Sequence, residues 1–94
     1  MAITTLTKQP AESRLYSMDF SPLLADALTV SSVTSVTVAP SGPTLSGAAT
    51  VNGVYAYQRI LGGTAGVTYK VTFVVVDSAG NILEGEGMLV VRDL

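Results

Sequence analysis

Residues 62–81 read GGTAGVTYKVTFVVVDSAGN, and residues 82–94 continue ILEGEGMLVVRDL. Two runs rich in β-branched residues flank a Ser-Ala-Gly-Asn turn, a pattern that predicts a long antiparallel hairpin. Hairpins of this kind close immunoglobulin-like sandwiches. Alternate residues of the first run are predicted to face the core: Tyr69, Val71, Phe73 and Val75.

Upstream of the hairpin, β-rich runs again alternate with turn residues. We predict strands over residues 14–20, 28–39, 44–51 and 54–61. The first strand places three side chains on the core face: Tyr16, Met18 and Phe20. The spacing of short strands predicts an all-β, immunoglobulin-like sandwich of six to seven antiparallel strands.

Three local signals refine this outline. Ser21 followed by Pro22 predicts one helical turn, because proline needs no amide partner there. The alternation of apolar residues changes phase between Val33 and Val36, which predicts a bulge. The dipeptide at positions 52 and 53, Asn-Gly, predicts a type I′ turn between two strands.

The first ten residues differ from the remainder. They form a short, polar segment that is rich in threonine and ends at Pro10, so we predict an extended N-terminal arm over residues 1–10 and a sandwich domain over residues 11–94. Within the arm, Ile3, Leu6 and Pro10 are the residues we expect to dock on a neighbouring subunit. In the strand 54–61, Tyr55 and Tyr57 share one face and are candidate anchors for a partner.

Composition favours assembly over a solitary monomer. Hydrophobic residues make up 48% of the 94 residues, and only 13% are charged, against about 25% in an average soluble domain. A domain this small cannot bury so much apolar surface by itself, so we expect a neighbouring subunit to cover part of it. The chain has no cysteine, which fits assembly in a reducing cytoplasm.

Charge and hydropathy exclude two classes of partner. The net charge is −2, without a basic run or interleaved aromatic residues, so we expect no nucleic-acid binding. No stretch approaches the roughly 18 apolar residues of a membrane span, and the N-terminus lacks the pattern of a signal peptide. We expect no membrane association and a mature protein that is the whole chain.

Catalytic patterns are absent. The chain has no histidine and no cysteine, so triad chemistry lacks its base and its thiol nucleophile. Lys8, in the predicted arm, and Lys70, on a strand, are expected to be solvated. Glu84 and Glu86 lie on one face of a strand about 7 Å apart, within the range of paired glycosidase carboxylates. We interpret them as charges that protect an exposed strand, and we predict that the protein is not an enzyme.

No cofactor or metal is predicted. The turn 77–81 supplies oxygen ligands, but it lacks the clustered set and closing glutamate of a calcium loop. The glycine-rich segment 62–66 lacks the lysine and following helix of a phosphate loop, so Gly62, Gly63 and Gly66 are assigned to a turn. Tyr69, at the start of the penultimate strand, is predicted to hydrogen-bond back across the corner, which is a folding role.

Four segments together resemble the fiber-tail adaptor family of small bacteriophage structural proteins. The resemblance spans most of the chain and rests on KQP at 8–10, LYSMDFSPLLA at 15–25, SVTSVTV at 32–38 and GGTAGVTY at 62–69. The family pattern has a glycine in the stretch corresponding to residues 26–29, where this chain has alanine.

The resemblance implies a non-enzymatic virion component at the neck or tail that joins the particle to a fiber or neck protein. Its expected partners are neck, tail, portal-proximal or fiber proteins, and copies of itself in a symmetric ring. Two alternatives remain open: a capsid decoration protein that covers the head, and a carbohydrate-binding module. The second would need an aromatic platform, for which four tyrosines, two phenylalanines and no tryptophan give little material.

Overall fold

A computed structural model of the chain describes residues 2–93, with side chains described for residues 5–93. Within this range, seven strands and one short 3₁₀ helix follow one another along the chain. Their bounds are β1 Ala2–Lys8, β2 Ser13–Asp19, the 3₁₀ turn Ser21–Leu23, β3 Val30–Ala39, β4 Thr44–Asn52, β5 Tyr55–Leu61, β6 Thr68–Asp77 and β7 Ile82–Val91. The helical turn begins where Ser21 and Pro22 predict it, with proline in its first turn.

The strands form two sheets. One sheet has the order β1-β7-β6-β3, and the other has the order β2-β5-β4. Paired strands are antiparallel except for β1 and β7, which run parallel. This arrangement confirms the predicted all-β, immunoglobulin-like sandwich.

The core lies between the two sheets and is built from alternate residues of facing strands. Phe73 of β6 stacks on Tyr16 of β2, with ring centroids 6.0 Å apart, and meets Phe20 edge-on at 6.5 Å. The Tyr16 hydroxyl donates a hydrogen bond to the Met88 carbonyl at 3.2 Å, and burial raises the pKa of Tyr16. All seven side chains predicted to face the core from β2, the residue after it and β6 are buried: Tyr16, Met18, Phe20, Tyr69, Val71, Phe73 and Val75.

The predicted N-terminal arm is a strand of the sandwich within this chain. Residues Ala2–Lys8 pair with β7 and form one edge of the four-stranded sheet, from Ala2 opposite Glu86 to Lys8 opposite Val91. Leu6 packs against the core, which explains why an isolated apolar residue stands in a threonine-rich run. The polar threonines at positions 5 and 7 are exposed, as suits an edge strand. Met1 and Leu94 lie outside the described residues.

Two local predictions, a bulge in β3 and a turn before β5, have different outcomes. The register of β3 against β6 shifts between Val33 and Ser35, where the sequence predicts a bulge. The β4–β5 turn lies one residue later than predicted, since Asn52 pairs with Tyr55 and the loop consists of Gly53 and Val54. Gly53 has φ +62° and Val54 has no positive φ. Glycine in the first position with a single positive φ is the pattern of a type II′ turn, so the type I′ prediction is wrong.

Ala27, in the loop before β3, has a left-handed backbone conformation. Its φ is +66°, and it is the only residue other than glycine with positive φ in residues 2–93. An L side chain in this conformation places its Cβ too close to the following carbonyl oxygen.

We expect Ala27→Gly to stabilise the protein by about 0.5–1 kcal/mol, because relief of the left-handed strain exceeds the entropic cost of glycine. The free energy of unfolding is measured by urea denaturation. Ala25→Gly, in the same exposed loop but without positive φ, is the matched control and is expected to destabilise slightly. A loss of stability in Ala27→Gly as large as in the control would contradict the strain argument.

Candidate interaction surface

An exposed aromatic surface covers the outer side of the three-stranded sheet. Strand β5 turns Ala56, Gln58 and Ile60 inward, so its other residues face outward. The rings of Tyr55 and Tyr57 stack with centroids 6.1 Å apart and planes at 25°. Leu15 of β2 is 50% exposed and Tyr55 is 41% exposed. We call this surface the aromatic face and define it as Leu15, Asp19, Tyr55, Tyr57 and Arg59.

A buried amide fixes the backbone beneath the aromatic face. Between Ser46 and Thr50, β4 bulges away from β5, so that three residues lie opposite Gln58 alone. The Gln58 Nε2 donates to the carbonyls of Ser46, Gly47 and Arg59 at 3.1, 3.2 and 3.1 Å. The bulge interrupts the backbone hydrogen bonds between β4 and β5. The Gln58 amide supplies hydrogen-bond donors to carbonyls near the interruption. Gln58 therefore stabilises the bulge in the sheet that carries the aromatic face.

Arg59 is a cation without an acidic partner on this face. Its Nη1 donates to the Ser13 carbonyl and hydroxyl oxygens, both at 3.3 Å. Within residues 5–93 it has no salt bridge, whereas Arg14 lies 3.6 Å from Glu12 and Lys70 lies 3.5 Å from Glu86. Asp19, at the other end of the face, accepts a hydrogen bond from Ser21 N–H at 2.8 Å. The face can therefore offer both a guanidinium and a carboxylate to a partner.

The opposite side of the domain carries acidic residues. We call it the acidic face and define it as Lys70, Glu84, Glu86 and Met88, on the outer side of the four-stranded sheet. Glu84 is exposed, and Glu86 pairs with Lys70. The two glutamates lie on an open sheet surface, whereas glycosidases enclose such a pair in a sugar-binding cleft. A groove of about 280 Å³ exists between β3 and β4, but neither glutamate lines it.

Gly85, between the two glutamates, permits a close approach of β7 to the other sheet. A Cβ at this position would lie 2.8 Å from the Met18 sulfur and 2.8 Å from the Phe20 ring. A glycine inside a strand is typical of either a bulge or a close backbone approach, and the continuous register of β7 with β6 shows the second. Glu84 and Glu86 therefore face outward because the residue between them is pressed against the core.

Lys8 is buried, which contradicts the expectation of a solvated lysine. Its side chain is 1% exposed, at the end of β1. The ammonium donates to the carbonyl of Gln9 at 2.7 Å, to that of Pro10 at 3.4 Å and to that of Gly62. Burial lowers the pKa of Lys8, while the fields of Glu12 and Tyr69 act in the opposite direction. Through these three carbonyls the ammonium links the β1–β2 turn to the β5–β6 loop. The role of Lys8 is therefore structural.

The predicted glycine turn and Tyr69 lie at the same end of the domain as Lys8. The Tyr69 hydroxyl accepts a hydrogen bond from Thr64 N–H at 2.9 Å, across the corner that leads into β6. Gly63 has φ +97°, and a Cβ there would lie 2.8 Å from the Val91 side chain. Gly62 and Gly66 also have positive φ, +78° and +88°. Glycine at these positions therefore allows the backbone to turn at this closely packed corner.

Asp77 organises the β6–β7 turn. One carboxylate oxygen accepts from Ala79 N–H at 2.9 Å and Asn81 N–H at 2.8 Å, and the other accepts from the Asn81 side chain at 3.0 Å. In the part of the chain that the structure describes, no three acidic residues lie close enough together to hold a metal ion. Burial raises the pKa of Asp77, but the hydrogen bonds from Asn81, Ala79 and Gly80 outweigh it and hold the pKa below its usual value.

We expect the contribution of Asp77 to depend on pH. Because its folded pKa lies below the unfolded value of about 3.9, its stabilising effect is present above that pH and is lost as the pH falls through the folded pKa. Asp77→Asn should therefore melt at a lower temperature than the wild type at neutral pH, with the gap closing in acid. Thermal unfolding followed by circular dichroism between about pH 2 and pH 7 measures this. A gap independent of pH would assign the effect to turn geometry alone.

The predicted interaction residues fall into two separate groups. Leu6 faces the core, Pro10 is half-buried at the β1–β2 turn, and the side chain of Ile3 lies outside the described residues. Tyr55 and Tyr57 lie side by side on the aromatic face, joined by Leu15 and Arg59. Strand alternation alone places Leu15 on the outer side of β2. The role of Arg59 depends on the absence of a partner, which the sequence does not show.

The fold and these surfaces define a small immunoglobulin-like sandwich with two chemically different outer faces. No helix in residues 2–93 is long and apolar enough to cross a membrane. The chain belongs to the family described as podophage GP4 fiber-tail adaptor protein gp77, whose pattern matches residues 8–90. That match confirms the resemblance seen in the sequence. A search of the curated proteins finds no match to this chain.

Proposed function

We propose that this protein is a structural component of a bacteriophage virion that joins the particle to a fiber or neck protein at the neck or tail. The observation that carries the proposal is the family match over residues 8–90, which covers nearly the whole sandwich. The family is one of structural adaptors, which implies a non-enzymatic protein located in the virion. The proposal includes the neck or tail position, assembly in the host cytoplasm and the identity of the partner.

The aromatic face is the surface through which we propose that the protein contacts a virion partner. Tyrosines contribute large contact areas with few rotatable bonds, and aromatic residues and arginine dominate the energetics of interfaces. On this face two stacked tyrosines lie beside an arginine that lacks an acidic partner within residues 5–93. The surrounding residues of β4 are small and polar, as in the rim of an interface.

Quantitative mass spectrometry of purified virions tests the proposed function. The copies of this protein are compared with those of the portal protein and of the major capsid protein. A ratio close to that of the portal protein is the expected result for a ring at the neck or tail. A ratio close to that of the capsid protein would instead show a decoration protein, and absence from the virion would overturn the structural role.

A further inference from the structure

We propose that the partner of the aromatic face is the acidic face of a second copy of this chain. This inference deepens the proposed function, on which it rests, by naming one partner of that surface. Within residues 5–93, Arg59 has no carboxylate partner and Glu84 has no basic partner. An uncompensated positive charge thus lies on one outer face, and an uncompensated negative charge lies on the other.

The charges on the two faces also share a spacing. On the aromatic face, Asp19 pairs with Tyr55, four residues along β5 from Arg59 and one strand away. On the acidic face, Lys70 pairs with Met88, four residues along β7 from Glu84 and one strand away. Both separations are therefore about 13 Å along the strands and about 5 Å across them. If Arg59 of one copy is placed opposite Glu84 of a second copy, a rotation about the axis perpendicular to the contact brings Asp19 of the first opposite Lys70 of the second.

Apolar side chains accompany these charges on both faces. Leu15 is the cross-strand neighbour of Arg59, and the stacked tyrosines continue along β5. On the acidic face, Met88 is 37% exposed, and Ile82, two residues before Glu84, is 73% exposed. Contact between the faces buries these groups and pairs the charges at the same time. Charge pairs of this kind fix the register and exclude wrong partners.

The position of the two faces dictates the type of assembly. They are the outer sides of two packed sheets, so they point in opposite directions. A contact between unlike faces is heterologous, and each copy that binds leaves one free face for the next. Such contacts propagate and close into a ring where the rotation between copies allows it. The contact that we propose therefore generates a ring where the rotation between copies closes and an open stack of copies where it does not.

Charge reversal on purified protein tests the contact. Arg59→Glu and Glu84→Arg each place like charges opposite each other, so each variant should self-associate at least about tenfold more weakly than the wild type. In an equimolar mixture, the glutamate introduced at position 59 of one variant meets the arginine introduced at position 84 of the other. The unchanged Arg59 and Glu84 meet in the reciprocal contact, so the mixture should associate as the wild type does. Sedimentation velocity and native mass spectrometry measure the species formed.

Two matched controls reverse charges outside both faces. Asp26→Arg and Arg92→Glu change exposed residues of the 24–29 loop and of the C-terminal segment, and both should associate normally. Circular dichroism melting confirms that every variant is folded. A wild-type chain that stays monomeric at about 100 μM, single variants that associate normally, or a mixture no better than its components would overturn the proposal. Copy number in the virion tests the function separately, so either proposal can fail alone.

Discussion

Phe73→Ala is expected to lower the free energy of unfolding by about 4 kcal/mol. Phe73 is fully buried and contacts aromatic rings of the facing sheet on two sides, Tyr16 at 6.0 Å and Phe20 at 6.5 Å. Its removal leaves a cavity where the two sheets meet, and the rigid strands around it can close that cavity only in part. A domain of this size is stabilised by about 5–14 kcal/mol in total, so the loss is large.

Urea denaturation followed by tyrosine fluorescence or circular dichroism measures this effect. The matched control is Val74→Ala, since Val74 is the next residue of β6 and faces the outer side of the sheet, half-buried. The control should cost less than about 1.5 kcal/mol. If the two variants were destabilised equally, the ring cluster would not be the packing centre of the sandwich.

Lys8→Met is expected to lower the free energy of unfolding by about 3 kcal/mol. Methionine fills much of the same volume but donates no hydrogen bond, so the carbonyls of Gln9, Pro10 and Gly62 lose the ammonium that binds them. The Gln9 carbonyl keeps its hydrogen bond from Glu12 N–H at 3.1 Å, but a buried acceptor that is left unsatisfied costs far more than the net gain of an ordinary hydrogen bond. The β1–β2 turn and the β5–β6 loop should then separate more readily.

The same chemical change at Lys70 is the control for the buried lysine. Lys70 is exposed and forms one surface ion pair with Glu86 at 3.5 Å, so Lys70→Met should cost less than about 1 kcal/mol. Hydrogen exchange at the amides of the β5–β6 loop adds a local measurement and should quicken in Lys8→Met only. Equal stability of Lys8→Met and the wild type would show that water satisfies the three carbonyls equally well.

Alternation and turn chemistry predict most of this fold from the sequence. The core positions of β2 and β6 follow from a period of two, and the bulge in β3 follows from the change of phase at Val33. The edge strand β1 is missed because its pairing partner β7 lies at the far end of the chain. A local sequence pattern cannot predict this pairing, because it does not show which distant strand β1 lies beside or in which register.

The candidate site is less accessible from the sequence. Tyr55 and Tyr57 are found because aromatic residues two apart share a face of a strand. The burial of Lys8 is not predicted, because it results from the meeting of two loops that are 54 residues apart. That Arg59 and Glu84 form no salt bridge within residues 5–93 also becomes visible only when all their neighbours are known. Contacts between segments that are distant in the chain are therefore the part of this structure that the sequence does not predict.

The parallel pairing of β1 with β7 has a practical consequence for locating the domain within a particle. Ala2 lies opposite Glu86, in the middle of β7, whereas Lys8 lies opposite Val91, next to the last described residues. Positions 2 and 93 are therefore separated by the length of β1, about 20 Å along the strand direction. A label fused before the first strand and a label fused after the last would emerge at different heights on the same sheet edge. Two labelled particles seen by cryo-electron microscopy would thus give the polarity of the domain.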